Sequence, residues 1–170
     1  MTETIQMDSI FAFMAKDKVK ETLSGPQLEA QLPLDAEILG VAIHYSALEK
    51  QAEEQAKSWL LEVDLRHLSG SKESAYLKKM GHRPLTKEDL INLVLLFGSE
   101  EQKQLVKAFE KAQIDLSARL SKTANLGLVL KQAGEKGINY NTYYNRAKTP
   151  GLWRSDEVID VMTALERLKV

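Results

Sequence analysis

Apolar spacing constrains this chain more than any other feature. Apolar residues recur at intervals of three and four along nearly the whole sequence, and few segments alternate with period two. That periodicity predicts amphipathic helices rather than strands. Ile10, Phe13, Met14 and Val19 predict a first helix, broken at Gly25-Pro26. Leu34, Ile38, Val41, Ala42, Tyr45 and Leu48 make a second stripe. The polar run Glu49-Lys50-Gln51-Ala52-Glu53-Glu54 reads as a solvated helix face, with Trp59, Leu60, Leu61 and Leu65 after it. Ser69-Gly70-Ser71 and Gly81-His82-Arg83-Pro84 read as loops. Thr86 fits an N-cap, with Glu88 and Asp89 well placed in the first turn of a helix that carries Leu90, Ile91, Leu93, Val94 and Phe97 and stops at Gly98. Ser99 and Gln102 fit a capping box before a helix carrying Leu105, Phe109 and Leu116. Two short helices follow, Leu126 to Ala133 and Asn141 to Lys148, the second broken by Thr149-Pro150-Gly151. A last helix begins near Ser155 and offers Val158, Ile159, Val161, Met162, Leu165 and Leu168 to a core. The glycine and proline breaks exclude one long coiled coil. The expectation is an all-α, multi-helical fold.

Composition narrows the class. With 170 residues, 44% hydrophobic and 28% charged, the chain has the make-up of a soluble globular protein of one domain or two small ones. Cysteine is absent, which excludes a disulfide framework, a thiol nucleophile and cysteine-ligated zinc. No apolar run reaches the roughly 18 residues of a membrane span, so no membrane partner is expected. Met1-Thr2-Glu3-Thr4 lacks the start of a signal peptide, which predicts a cytoplasmic location. His44, His67 and His82 show no metal-ligand spacing, Gly134-Glu135-Lys136-Gly137 is not a phosphate loop, and no carboxylate pair stands out as acid and base. No catalysis, cofactor or metal site is therefore expected.

An internal repeat is visible at a shift of 68 residues. Ser74-Ala75-Tyr76-Leu77-Lys78 falls on Thr142-Tyr143-Tyr144-Asn145-Arg146, and Leu85 on Trp153. Glu88-Asp89-Leu90-Ile91-Asn92-Leu93-Val94 falls on Asp156-Glu157-Val158-Ile159-Asp160-Val161-Met162. Identities are few, but physical class is kept. A tyrosine, a basic residue, a loop and a doubly acidic helix start occur in the same order.

Positive charge is concentrated in both members of this repeat. Residues 66–87 hold six Lys/Arg (Arg66, Lys72, Lys78, Lys79, Arg83, Lys87) against Glu73 alone. Residues 119–154 hold seven (Arg119, Lys122, Lys131, Lys136, Arg146, Lys148, Arg154) against Glu135 alone. The overall charge of −1 thus divides into stretches of +5 and +6 and a remainder of −12. Such segregation suits a polyanion partner.

Between Leu126 and Leu168 the residues form a pattern. Leu128-Val129-Leu130-Lys131-Gln132-Ala133-Gly134 is followed by Asn141-Thr142-Tyr143-Tyr144-Asn145-Arg146-Ala147-Lys148, then Pro150-Gly151-Leu152-Trp153 and the acidic-started final helix. This run resembles the phage-repressor (Cro-like) helix-turn-helix domain. The turn through Glu135-Lys136-Gly137-Ile138-Asn139-Tyr140 is longer than the tight turn of that family, and the upstream unit, Trp59 to Phe97, fits less well. The resemblance implies double-stranded DNA as partner and a role in transcription regulation. It makes Asn141–Lys148 the recognition helix, with Tyr144 facing inward and Asn141, Thr142, Tyr143, Asn145 and Arg146 facing out toward base edges. Lys136, Lys148 and Arg154 would meet phosphates, as would Lys72, Lys78, Lys79 and Arg83 if the upstream unit binds rather than serving as scaffold. Trp153 reads as a core plug, whereas Tyr140 and Tyr143 fit core or surface equally well. Readers of this type act as dimers on two-fold sites, so a homodimer is one expectation. Two units in one chain offer another, a monomer covering two groove segments. The organisation expected is an N-terminal helical segment, 1–30, and two tandem helix-turn-helix-like units, 31–98 and 99–170. The competing function is a non-catalytic protein-interaction module in which these units are scaffold and the acidic N-terminal half docks a basic partner.

Overall fold

The structure, a computed structural model, describes residues 25–134 and 138–168. The helix expected around Ile10 to Val19 lies outside the described residues. The fold is all-α: α1 (Gly25–Trp59), α2 (Lys72–Lys79), α3 (Lys87–Phe97), α4 (Glu100–Ser121), α5 (Leu126–Gln132), α6 (Tyr140–Lys148) and α7 (Ser155–Leu168). Single 3-10 turns at Leu65–His67 and Pro150–Leu152 precede α2 and α7 respectively. No helix among the described residues is long and apolar enough to cross a membrane.

The spine is α1, against which α3, α4 and α7 pack. It runs unbroken through the expected boundary at residue 30 and through the polar stretch. Ile38, Ala42, Tyr45, Leu48, Ala52 and Ala56 explain why, since they form one buried stripe at helical spacing. Ala52 and Ala56 carry that stripe through the polar run, where larger apolar residues are missing. From α4, Val106, Phe109, Ala112, Leu116 and Leu120 meet the spine. The Tyr45 and Phe109 rings stack with centroids 4.0 Å apart. Arg119 pairs with Asp35 at 3.1 Å and ties the two helices a second time.

Local signals fix the ends. Thr86 with Asp89, and Ser99 with Gln102, form complete capping boxes, each satisfying two helix N–H groups. Gly98 makes the tight joint between α3 and α4. Its N–H donates to the Val94 carbonyl at 2.7 Å. A Cβ there would sit 2.5 Å from that same oxygen. Gly98→Ala is therefore expected to lower stability by about 1–3 kcal/mol, the usual cost of forcing atoms into a filled site. Urea unfolding checks this, and an unchanged midpoint would contradict the close approach.

The repeat read from the sequence carries matching contacts at the same offset of 68 residues. Ser71 caps α2 by accepting from the Ser74 N–H, and Asn139 caps α6 by accepting from the Thr142 N–H. Lys78 of α2 pairs with Asp89 of α3 at 2.7 Å, and Arg146 of α6 pairs with Glu157 of α7 at 3.1 Å. Asp89 also accepts the Thr86 N–H, as Glu157 accepts the Arg154 N–H. Leu90, Leu93 and Val94 are buried on α3, as Val158, Val161 and Met162 are on α7. Both pairs meet α1 at one carboxylate: Glu49 pairs with Lys87 at 3.4 Å and accepts from the Ser155 hydroxyl at 2.7 Å. Lys87 and Ser155 are the first residues of α3 and α7.

The pairs differ in what precedes them. Ahead of α6 stands a true helix, α5, which packs on α6 and α7. Ahead of α2 stand only the end of α1 and the turn at Leu65–His67, with the Lys79 ammonium donating to the Val63 carbonyl at 2.7 Å.

Candidate nucleic-acid interface

One side of α6 faces solvent and the other is pinned. Asn141, Tyr144, Asn145 and Lys148 are exposed, and their spacing of three, one and three residues puts them on one helical face. Tyr140, at the helix start, is 68% exposed beside them. On the opposite side Tyr143 is only 8% exposed. Burial raises the pKa of its hydroxyl above the ordinary phenol value, with the nearby Tyr140 adding to the shift. The Lys148 ammonium lies 4.4 Å from the centre of the Tyr144 ring, so a cation and a phenol are presented together. Lys148 also closes the helix, where its charge complements the macrodipole.

Two interactions hold this helix in place. Arg146 forks onto Glu157, with Nε to Oε2 at 3.2 Å and Nη2 to Oε1 at 3.1 Å. The connection to α7 is plugged by Trp153, 2% exposed, whose indole N–H donates to the Ser117 hydroxyl at 2.9 Å. Gln113 of α4 donates to the Trp153 carbonyl at 2.6 Å. The expectation of Trp153 as a core plug is met.

Several expected site residues lie elsewhere than the sequence suggested. The two tyrosines exchange roles: Tyr143 faces inward and Tyr144, 50% exposed, faces out. The reason is helix phase. Asn139 caps α6, and counted from that start Tyr143 falls on the inward side and Tyr144 on the outward one. Unit-to-unit register held the better signal, because it places Tyr143 opposite Ala75, a position with no polar group to solvate, and Ala75 is buried. Arg146 is half-buried in its ion pair rather than free for base edges. Arg154 is exposed and pairs with Asp156 at 3.1 Å. Thr142 is half-buried, near the N-terminal end of the outward face. Lys136 lies outside the described residues.

Around α2 the correction is larger. Lys78 is buried and paired with Asp89, and its ammonium also donates to the Ser69 carbonyl and hydroxyl at 2.8 Å each. Lys79 is occupied at the Val63 carbonyl. Lys78 is thereby closed to a phosphate, and Lys79 is half-buried with one donor committed. Lys72 and Arg83 are exposed, Arg83 donating to the Ser74 hydroxyl at 2.9 Å. The positive stretches of the sequence are therefore partly neutralised in space by acids outside them, Asp89 for Lys78, Asp35 for Arg119 and Glu157 for Arg146.

The first turn of α7 is acidic, but flanking arginines offset it, Asp156 through Arg154 and Glu157 through Arg146. Asp160, next on this helix, has its carboxyl raised by burial and then by the charges of Asp156 and Glu157. No cluster of three or more His, Cys, Asp or Glu able to hold a metal occurs among the described residues. Set against known protein families, curated proteins and solved structures, the chain matches none.

Proposed function

We propose that this chain reads double-stranded DNA with α6 in the major groove and acts as a repressor-like transcription regulator. One observation carries the reading. The outward face of α6 gathers Asn141, Tyr144, Asn145 and Lys148, while Tyr143 and Arg146 anchor the helix from behind. Asparagine can pair bidentately with adenine, and tyrosine can touch the thymine methyl. Lys148 supplies charge for a phosphate, which positions the helix without reading sequence. The preceding helix α5 packs on α6, an arrangement that supports a helix-turn-helix reading.

The test starts by selecting bound duplexes from a randomised pool, then measures affinity for the selected site by fluorescence anisotropy across salt concentrations. Asn141→Ala and Asn145→Ala should each cost about 1–3 kcal/mol on that site and relax the preference at one base position. Lys148→Ala should weaken all duplexes alike and make the log–log salt slope shallower by about 0.9. Arg146→Ala should act through stability instead, because its guanidinium is committed to Glu157. Duplex affinity that ignores salt and all three surface changes would remove the proposal.

A further inference from the structure

We infer that α2 is a second duplex-contacting helix, which docks on the DNA backbone without reading bases, so that a single chain spans two groove segments. This rests on the reading of α6 above and extends it to a surface which that reading leaves unused.

The argument begins with the shared scaffold. α2 and α6 have side-chain N-caps, ion pairs to the following helix and buried registers at one constant offset. Their outward faces therefore correspond too. Tyr76 of α2 is 53% exposed and Tyr144 of α6 50% exposed, and the two hold the same register. A ring exposed to this degree loses hydrophobic stabilisation that burial would give, and it contributes little to the fold. Its repetition in both units points to a shared use.

The chemistry around the two rings differs, and this divides the roles. Near Tyr144 lie Asn141 and Asn145, which carry the donors and acceptors needed at base edges. The exposed residues of α2 are Lys72, Glu73 and Tyr76, with Met80 just past its end and Arg83 held against Ser74. No asparagine or glutamine lies on α2. Cations with a tyrosine hydroxyl are backbone-binding groups, which complement phosphate charge but not sequence.

The spacing between the helices is set internally. Glu49 grips the first residues of both α3 and α7, and α1 packs against both helices. Two faces tied through α3 and α7 to one spine engage a duplex together, with no need for a second copy to supply the second contact.

Hydroxyl-radical footprinting on the selected duplex, with the mass of the complex measured in solution, tests this. Wild type should protect two backbone patches with one chain bound. Lys72→Ala/Arg83→Ala should erase one patch, leave the selected base preference intact and make the salt slope shallower by about 0.9 for each cation. Tyr76→Ala should weaken the same patch, and a thermal melt checks that each variant is folded. An unchanged slope and footprint in the double variant, with Lys148→Ala still effective, would overturn the role of α2 and leave the α6 reading standing. Two chains on a palindromic site, both patches depending on Lys148, would overturn it equally. If no duplex is enriched at all, both readings fall together.

Discussion

Asp89→Ala is expected to destabilise the protein by about 3–5 kcal/mol, the range for removing one partner of a buried ion pair. Asp89 is 0% exposed and the Lys78 side chain 5%. The carboxylate accepts more than the Lys78 ammonium. It accepts the Ser69 N–H at 2.7 Å and the Thr86 N–H at 2.8 Å, joining the loop before α2 to the start of α3. Its loss leaves a buried ammonium without its counter-charge and two N–H groups without their acceptor. Glu157→Ala, at the corresponding place in the second unit, is expected to cost much less, on the order of 1 kcal/mol, because that pair is partly solvated. Urea unfolding of both variants makes the comparison, and equal losses would show that burial is not what separates the two pairs. Acid supplies a second readout. Burial alone would raise the Asp89 carboxyl. The hydrogen bonds from Lys78, from the Ser69 and Thr86 N–H groups and from the Ser69 hydroxyl outweigh burial and hold it well below the ordinary carboxylate range. A group depressed in the folded state stabilises the fold above its unfolded value of about 3.9, and that contribution is lost as pH falls toward the folded value. Wild-type stability should thus fall more steeply than that of Asp89→Asn between about pH 5 and pH 2.

This ion pair also shows where the sequence could and could not be read. Helix starts depend on residues three positions apart, so the Ser99–Gln102 box was legible in full, and Thr86 was legible as an N-cap though not the return bond from Asp89. The breaks at Ser69-Gly70-Ser71, Gly81 to Pro84 and Gly98 were legible for the same reason, since turn chemistry is local. Charge pairing is not local. Lys78 and Asp89 are joined by the fold, and Arg119 reaches Asp35 across 84 positions. A count of charge along the chain assigns these cations to a free surface, whereas packing withdraws them into the interior. Length of α1 was hidden in a different way. Ala52 and Ala56 are too small to show a hydrophobic stripe inside a run of Glu, Gln and Lys, yet alanine suits a helix and fits close to a neighbour. The helix Asn141 to Lys148 was legible from its local pattern, whereas the choice of its inward tyrosine, taken from a resemblance and not from the register of this chain, was wrong: Tyr143 is buried and Tyr144 exposed.

Trp153→Ala is the other change expected to cost about 3–5 kcal/mol, and its effect should extend from stability to the duplex binding proposed for α6. The indole is enclosed between α4 and the connection from α6 to α7. Truncation opens a cavity that helices tied at both ends cannot close, and cavity volume adds to the lost transfer energy. It also takes from Ser117 the donor of a buried hydrogen bond. Trp153→Phe separates the two terms. The ring still fills most of the space, so the loss should shrink to about 1–2 kcal/mol, mainly from the missing N–H. The same indole fixes where α6 stands, because the Ser117 hydroxyl that accepts its proton donates in turn to the Arg146 carbonyl at 3.4 Å. In Trp153→Ala the face carrying Asn141 and Asn145 should lose its register, so affinity falls even at temperatures where the variant is folded. Trp153→Phe should retain most of that affinity. A folded Trp153→Ala protein that binds the selected duplex like wild type would show that α6 needs no support from α4, and the link from core packing to groove contact would have to be abandoned. The corresponding position in the first unit is Leu85, only half-buried, and Leu85→Ala should cost less, since less apolar surface returns to water.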